Sequence, residues 1–243
     1  MQKIIAYPLS VIYYLFFGCI LLSFHLIQWL CLNLLGYKTH KKSVDALNFF
    51  LMINTYILGT RYKANNLSRI PTGVPLIIVS NHQSMYDIST IGWFMRSTHP
   101  KYISKKELGK GIPSISYNLR HGGSVLIDRG NPKQSLSAIK EIAQYIETNK
   151  RAAVLFPEGT RSKNGKPRDF AENGLKILCK YATSAYIVPV TINNSWRLTR
   201  WGSFPLGTGS KVELTIHNPV CIKDTPFSEM FEKIERDIVQ AIY

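Results

Sequence analysis

Residues 123–162 read GSVLIDRGNPKQSLSAIKEIAQYIETNKRAAVLFPEGTRS. Two short apolar runs within this stretch, residues 125–127 and 153–156, are typical of buried strands. Between the two runs, Asn131 can cap a helix and Pro132 suits its first turn. Four apolar residues then repeat at helical spacing: Leu136, Ile139, Ala143 and Ile146. The stretch therefore predicts a strand–helix–strand unit.

The same alternation extends over most of the chain. Further strands are predicted at 76–80, 186–192 and 211–216, and further helices at 88–97, 171–182 and 227–242. Strands separated by helices indicate an α/β fold with a mixed, mostly parallel central sheet that is flanked by helices. The length of 243 residues fits one such domain with an N-terminal addition.

The composition excludes a disordered chain and favours an anionic partner. Apolar residues make up 45% of the sequence, and the formal net charge is +15. Residues 224–243 contain five acidic and two basic side chains, so the positive excess belongs to the rest of the chain. The four cysteines form no CxxC pair and indicate neither a zinc site nor a disulfide framework. A reduced, cytosol-facing environment fits this cysteine pattern.

The N-terminal segment has the hydrophobicity of a membrane-associated helix. Residues 4–37 contain no Asp, Glu, Lys or Arg. As one helix they would extend roughly 51 Å, against ~30 Å for the hydrocarbon core of a bilayer. Such a helix should tilt, reach an interface or bend, with Pro8, Gly18 and Asn33 as candidate bend points. A secretory signal is the alternative, although its apolar core is usually only about 7–15 residues long.

A second apolar stretch at residues 46–59 has basic residues on both sides. It is too short to span a bilayer and could pack on the first helix, lie among lipid headgroups or be an ordinary core helix. Lys38, Lys41 and Lys42 follow the first apolar segment, which by the positive-inside rule predicts a cytoplasmic body. We expect residues 1–63 to form the hydrophobic helical segment for membrane association and residues 64–243 to form the α/β domain.

Three polar motifs follow predicted strands, where open α/β sheets place their sites. Residues 80–87, SNHQSMYD, combine His82, a base near neutral pH, with Asp87, which can fix its tautomer. Taken alone, the pair also fits a simple helix cap. Residues 156–162, FPEGTRS, combine a glycine turn with Arg161 and indicate anion binding, although Glu158 and Arg161 could also form a structural pair. Residues 123–129 end in Asp128 and Arg129, which could likewise pair with each other.

In this order, the motifs resemble the glycerolipid acyltransferase family, specifically the 1-acyl-sn-glycerol-3-phosphate acyltransferases. The resemblance includes the HX4D motif in residues 81–87, the blocks at 123–129 and 156–162, the VPV block at 188–190, and Lys105 in a K-x-E-L-type segment. It covers about half of the chain. Leu126 departs from the Phe usual in the second block, and Asn193 and Asn194 stand near an expected glycine.

The resemblance implies acyl transfer from acyl-CoA or acyl carrier protein to the 2-hydroxyl of lysophosphatidic acid, which makes phosphatidic acid in phospholipid biosynthesis. It implies His82 as general base, Asp87 as its partner and no cofactor or metal. It also implies a phosphate site formed by Lys105, Arg129, Glu158, Gly159, Thr160 and Arg161, with Glu158 positioning the glycerol or an arginine. Anionic phospholipids of the membrane are the implied partners, on the inner membrane if the source is a bacterium.

Three alternatives remain open at this point. The acceptor could be another lysophospholipid or a lyso-aminolipid. A nucleic-acid-binding protein would explain the positive charge, but the sequence has no recognisable reader motif. A metal-dependent hydrolase could use His82, Asp87 and Glu158, three ligands from separate loops.

Overall fold

A computed structural model describes residues 2–162 and 164–243. These residues form seven α-helices and eight strands, with short 3₁₀ helices between some of them. The helices are α1 (Gln2–Leu35), α2 (Tyr37–Asn54), α3 (Asp87–Phe94), α4 (Ile115–His121), α5 (Pro132–Asn149), α6 (Glu172–Tyr181) and α7 (Phe227–Val239). The strands are β1 (Arg61–Asn65), β2 (Leu76–Ser80), β3 (Pro100–Lys105), β4 (Val125–Ile127), β5 (Ala152–Leu155), β6 (Tyr186–Asn193), β7 (Lys211–Ile216) and β8 (Val220–Cys221).

The strands form one mixed sheet in the order β1-β7-β6-β2-β5-β3-β4, with β8 paired to β6. The run from β6 to β4 is parallel throughout, whereas β7 and β8 pair with β6 in the antiparallel direction. One apolar core lies between the sheet and the helices α5, α6 and α7, and a second core covers the opposite face. The predicted α/β fold with a mostly parallel sheet is confirmed.

The long N-terminal helix packs along the α/β body. The hydroxyl of Ser10 accepts a hydrogen bond from the N–H of Leu206 at 2.8 Å, and the Tyr14 hydroxyl donates to the carbonyl of Ser203. None of the three candidate bend points ends α1, and the chain instead turns at Gly36, where φ is +80°. Helix α1 is therefore attached firmly to the body.

Helix α1 nevertheless exposes a large apolar surface. Its mean hydropathy reaches 2.0, and length and composition make it a candidate membrane span. Leu15, Leu22 and Leu26 are each at least 60% exposed, which is rare in a helix that only packs on a soluble core. The predicted N-terminal apolar helix is thus present, and most of its residues are exposed.

The second apolar stretch packs back against the first helix, one of the three arrangements considered from the sequence. Helix α2 runs antiparallel to α1, and Leu47 packs with Leu21 and Phe24 in a small separate core. The sheet begins earlier than expected, because Arg61 at the start of β1 pairs with Lys211. The predicted boundary after residue 63 therefore falls inside a strand.

Candidate active site

The carboxyl ends of the parallel strands place the three polar motifs at one edge of the sheet. Strand β2 leads to His82, and the neighbouring strand β5 leads to residues 156–162. Asn81 fixes the start of the first loop, since its side chain exchanges two hydrogen bonds of 2.8 Å with the backbone of Ile192 in β6. It thereby continues the β2–β6 ladder by one step beyond the last strand residue.

His82 and Asp87 form a direct pair. The distance from His82 Nδ1 to Asp87 Oδ2 is 2.8 Å, and the same oxygen accepts the N–H groups of Gln83 at 2.7 Å and Ser84 at 2.8 Å. Asp87 is completely buried, whereas 16% of the His82 side chain is exposed. Because Nδ1 faces the carboxylate, Nε2 is the nitrogen that can exchange a proton with a bound molecule.

An aromatic ring supports the imidazole from one side. Phe156 stacks on His82 with 4.1 Å between the ring centroids and 20° between the planes. Together with the bond to Asp87, this contact restricts both the position and the rotation of the imidazole. The spacing of five residues works because Asp87 is the first residue of α3 and points back to the preceding turn.

Glu158 accepts hydrogen bonds from two loops of the site. Its two carboxylate oxygens accept the backbone N–H groups of His82 at 2.7 Å and of Arg168 at 2.9 Å. The side chain is only 8% exposed, and burial raises the pKa of Glu158 although both N–H groups favour the ionised form. In the structure Glu158 therefore joins the loops around the site, and within the described residues it forms no ion pair with an arginine.

The N–H of Gly159 has a partner inside the protein. It donates to the carbonyl of Phe156 at 3.1 Å and closes a turn, in which Gly159 has φ +66°. The part of Gly159 in phosphate binding stays a prediction. Thr160, the next residue, is exposed.

The predicted basic residues lie at the same edge of the sheet as the imidazole. Lys105, Arg129 and Arg161 are exposed and follow or end β3, β4 and β5. Arg161 adjoins the His82 loop in space, because the N–H of the next residue, Ser162, donates to the His82 carbonyl at 2.8 Å. Arg129 follows β4, which lies three places from β2 in the sheet. At the usual strand spacing, the two strands are about 14 Å apart. Asp128 pairs with Lys106 at 3.6 Å rather than with Arg129.

Two further features of the sequence are the asparagine near an expected glycine and the possible metal ligands His82, Asp87 and Glu158. Asn194 has φ +67°, a left-handed conformation that glycine and asparagine tolerate best, which accounts for asparagine near the expected glycine. Residues 2–162 and 164–243 contain no cluster of three or more His, Cys, Asp or Glu suited to holding a metal ion. His82 is hydrogen-bonded to Asp87, and the carboxylates of Asp87 and Glu158 accept backbone N–H groups.

Comparisons with known proteins identify the class. The family model described as Acyltransferase matches residues 61–193, more than half of the chain. The chain belongs to this acyltransferase family.

Individual relatives have a common description. A protein of Helicobacter pylori described as 1-acyl-sn-glycerol-3-phosphate acyltransferase is 32% identical over 185 residues, which are 72% of this chain and 74% of that protein. A chloroplastic protein of the same description from Arabidopsis thaliana is also 32% identical over 163 residues, 65% of this chain, and the match spans only 44% of its length.

A solved structure extends the similarity to the whole chain. The crystal structure of the 1-acyl-sn-glycerophosphate (LPA) acyltransferase PlsC from Thermotoga maritima matches with a TM-score of 0.76 at 26% identity. The match covers 99% of this chain and 95% of that one. It therefore includes the N-terminal helices as well as the sheet.

Proposed function

We propose that this acyltransferase moves a fatty acyl group from an acyl thioester to the 2-hydroxyl of 1-acyl-sn-glycerol-3-phosphate, which makes phosphatidic acid. The observation that carries the proposal is the pair of His82 and Asp87 beside exposed basic loops. The relatives named above, which include proteins described as acting on this acceptor, support the same substrate.

The reaction follows from the orientation of the imidazole. Neutral His82 accepts the proton of the 2-hydroxyl at Nε2 as the hydroxyl oxygen attacks the thioester carbonyl. The buried carboxylate of Asp87 holds the neutral ring with its proton on Nδ1 and stabilises the imidazolium that forms. The carbon–sulfur bond then breaks, and the imidazolium returns its proton to the departing thiolate. Atoms and charge balance without a cofactor, a metal or a covalent enzyme intermediate.

The basic side chains provide the acceptor site in this proposal. Arg161 and Arg129 bind the phosphate of the acceptor, with Lys105 between them in the strand order. Guanidinium groups suit a phosphate because their N–H groups form paired, charge-assisted hydrogen bonds. Glu158 and Gly159 act indirectly, through the shape of the loop that presents Thr160 and Arg161.

The N-terminal helices fit an enzyme whose substrates are lipids. We infer that the exposed apolar surface of α1 enters the membrane and that the basic body faces anionic headgroups on the cytoplasmic side. Residues 2–58 would then be the membrane-association segment, with the sheet domain beginning at Arg61. The donor is acyl-CoA or acyl carrier protein, both of which have acidic groups for the basic body to bind.

The decisive experiment measures acyl transfer by the purified full chain in detergent. Lysophosphatidic acid is compared with lysophosphatidylethanolamine, each with acyl-CoA and with acyl carrier protein as donor. We expect transfer to lysophosphatidic acid and a loss of at least ~10²-fold in His82→Ala, the lower range for removal of a general base. His121→Ala, which removes an exposed imidazole on α4, is the matched control and should keep its activity. Normal turnover in His82→Ala, or transfer only to lysophosphatidylethanolamine, would contradict the proposal.

A further inference from the structure

The second carboxylate oxygen of Asp87 has a partner that no motif contains. While Oδ2 faces His82, Oδ1 accepts a hydrogen bond from the hydroxyl of Ser195. A longer contact of 3.4 Å comes from the Ser84 hydroxyl. Ser195 is completely buried and lies in the loop after β6, 108 residues beyond Asp87 in the chain. The carboxylate is therefore held from both of its oxygens.

Ser195 is itself fixed in place by the site. Its backbone N–H donates to Gln83 Oε1 at 3.1 Å, and the amide nitrogen of Gln83 donates to the carbonyl of Gly165 at 3.3 Å. The left-handed conformation of Asn194 turns the chain just before this residue. Gln83 thus connects the loops after β2, β5 and β6 through its side-chain hydrogen bonds.

We propose that Ser195 is a positioning residue for the His82–Asp87 pair, a role that rests on the function proposed above. Its hydroxyl stabilises the ionised carboxylate and keeps Oδ2 directed at the imidazole. A hydrogen bond to the ionised form of an acid makes that acid less basic. Removal of the hydroxyl takes away one donor that stabilises the charge of Asp87, so the pair protonates at higher pH and Oδ2 is no longer held toward the imidazole.

The test combines steady-state kinetics with a pH profile for Ser195→Ala. We expect kcat to fall about ten-fold, which corresponds to the loss of one hydrogen bond to a buried charge. KM should stay within about two-fold, because Ser195 is completely buried, and the acid limb of kcat/KM should move to higher pH. Ser195→Cys retains a weak donor of similar size and should give intermediate values. It also replaces the alanine variant if that variant does not fold.

Ser210→Ala is the matched control. Ser210 is 1% exposed and its hydroxyl has no hydrogen-bond partner among the described residues, so this variant removes the same atom from an equally buried site. It should leave kcat and the pH profile unchanged. A fall in kcat for Ser195→Ala with an unmoved acid limb would mean a purely structural role and would overturn the proposal.

A measurement without turnover separates this inference from the function it rests on. NMR titration of histidine-labelled protein, with His82 assigned from the His82→Gln variant, reports the pKa of the imidazole directly. We expect that pKa to be higher in Ser195→Ala than in the wild type or in Ser210→Ala. If lysophosphatidic acid proves not to be the acceptor, this difference still tests Ser195. Identical titrations in all three proteins would overturn the positioning role whatever the acceptor.

Discussion

Replacement of Glu158 by glutamine distinguishes a loop-holding role from a substrate-binding one. In the structure, the two carboxylate oxygens accept two backbone N–H groups, from His82 and Arg168. Glutamine has one acceptor oxygen, so its NH2 group would face one of the N–H groups and one charge-assisted hydrogen bond would be lost. Hydrogen bonds to charged groups contribute about 1.5–3 kcal/mol to stability. For a chain of this size that loss lowers Tm by about 3–12 °C.

The assay is thermal unfolding of the purified protein in detergent, followed by tryptophan fluorescence, together with KM for the acceptor. The control is Glu172→Gln, an exposed carboxylate in α6 that pairs with Lys176, which should change the free energy of unfolding by less than about 0.5 kcal/mol. We expect a clear loss of stability in Glu158→Gln alone. An unchanged Tm with a strongly raised KM would refute the reasoning and return Glu158 to the substrate site indicated by the sequence.

Two other substitutions test the phosphate site and a buried cation. Arg161→Ala should raise KM for lysophosphatidic acid about 10–100-fold, because one charge-assisted hydrogen bond to the phosphate is lost. Arg236→Ala, on the exposed face of α7, is the control and should leave KM unchanged. Equal effects of the two substitutions would show that Arg161 is not part of the phosphate site. Lys101 in β3 is 5% exposed, and burial and the nearby charge of Arg151 lower its pKa to about 7. Because the unfolded chain then binds more protons between pH 7 and about 10.4, folding stability should rise with pH across this range. In denaturation measured at several pH values, Lys101→Met should reduce this rise in folding stability. Lys140→Met, which replaces an exposed lysine, should leave the rise unchanged. An unaltered slope in Lys101→Met would contradict the lowered pKa of Lys101.

Regular apolar patterns predicted the inner strands well. Strands β2, β4 and β7 begin and end where their apolar runs do, and β5 and β6 differ by one residue. Strand β8, with only two residues, was missed, and so were β1 and β3, which read RYKAN and PKYISK and have basic residues that interrupt any apolar run. Strands β1 and β3 are held in the sheet by pairing with β7 and β5, which no local pattern records.

The site was predictable to the extent that its residues are close in the chain. The five-residue spacing of His82 and Asp87 lies within one turn, so the sequence alone placed the pair together. The hydrogen bonds of Glu158 were not predictable, because a carboxylate in a turn gives no sign of which backbone N–H groups will donate to it. Ser195 gave no signal at all, since its contact with Asp87 depends on β6 lying beside β2. The order of strands would have been needed to find it.

The firm attachment of α1 also has a kinetic consequence. Ser10 and Tyr14 bond the helix to loops of the body, so an anchored enzyme would hold its imidazole at a constant height above the headgroups. Encounters with a lipid acceptor would then occur by lateral diffusion in two dimensions. Turnover would follow the mole fraction of acceptor within the bilayer, and diluting the acceptor with inert lipid would slow the enzyme even at a fixed bulk concentration.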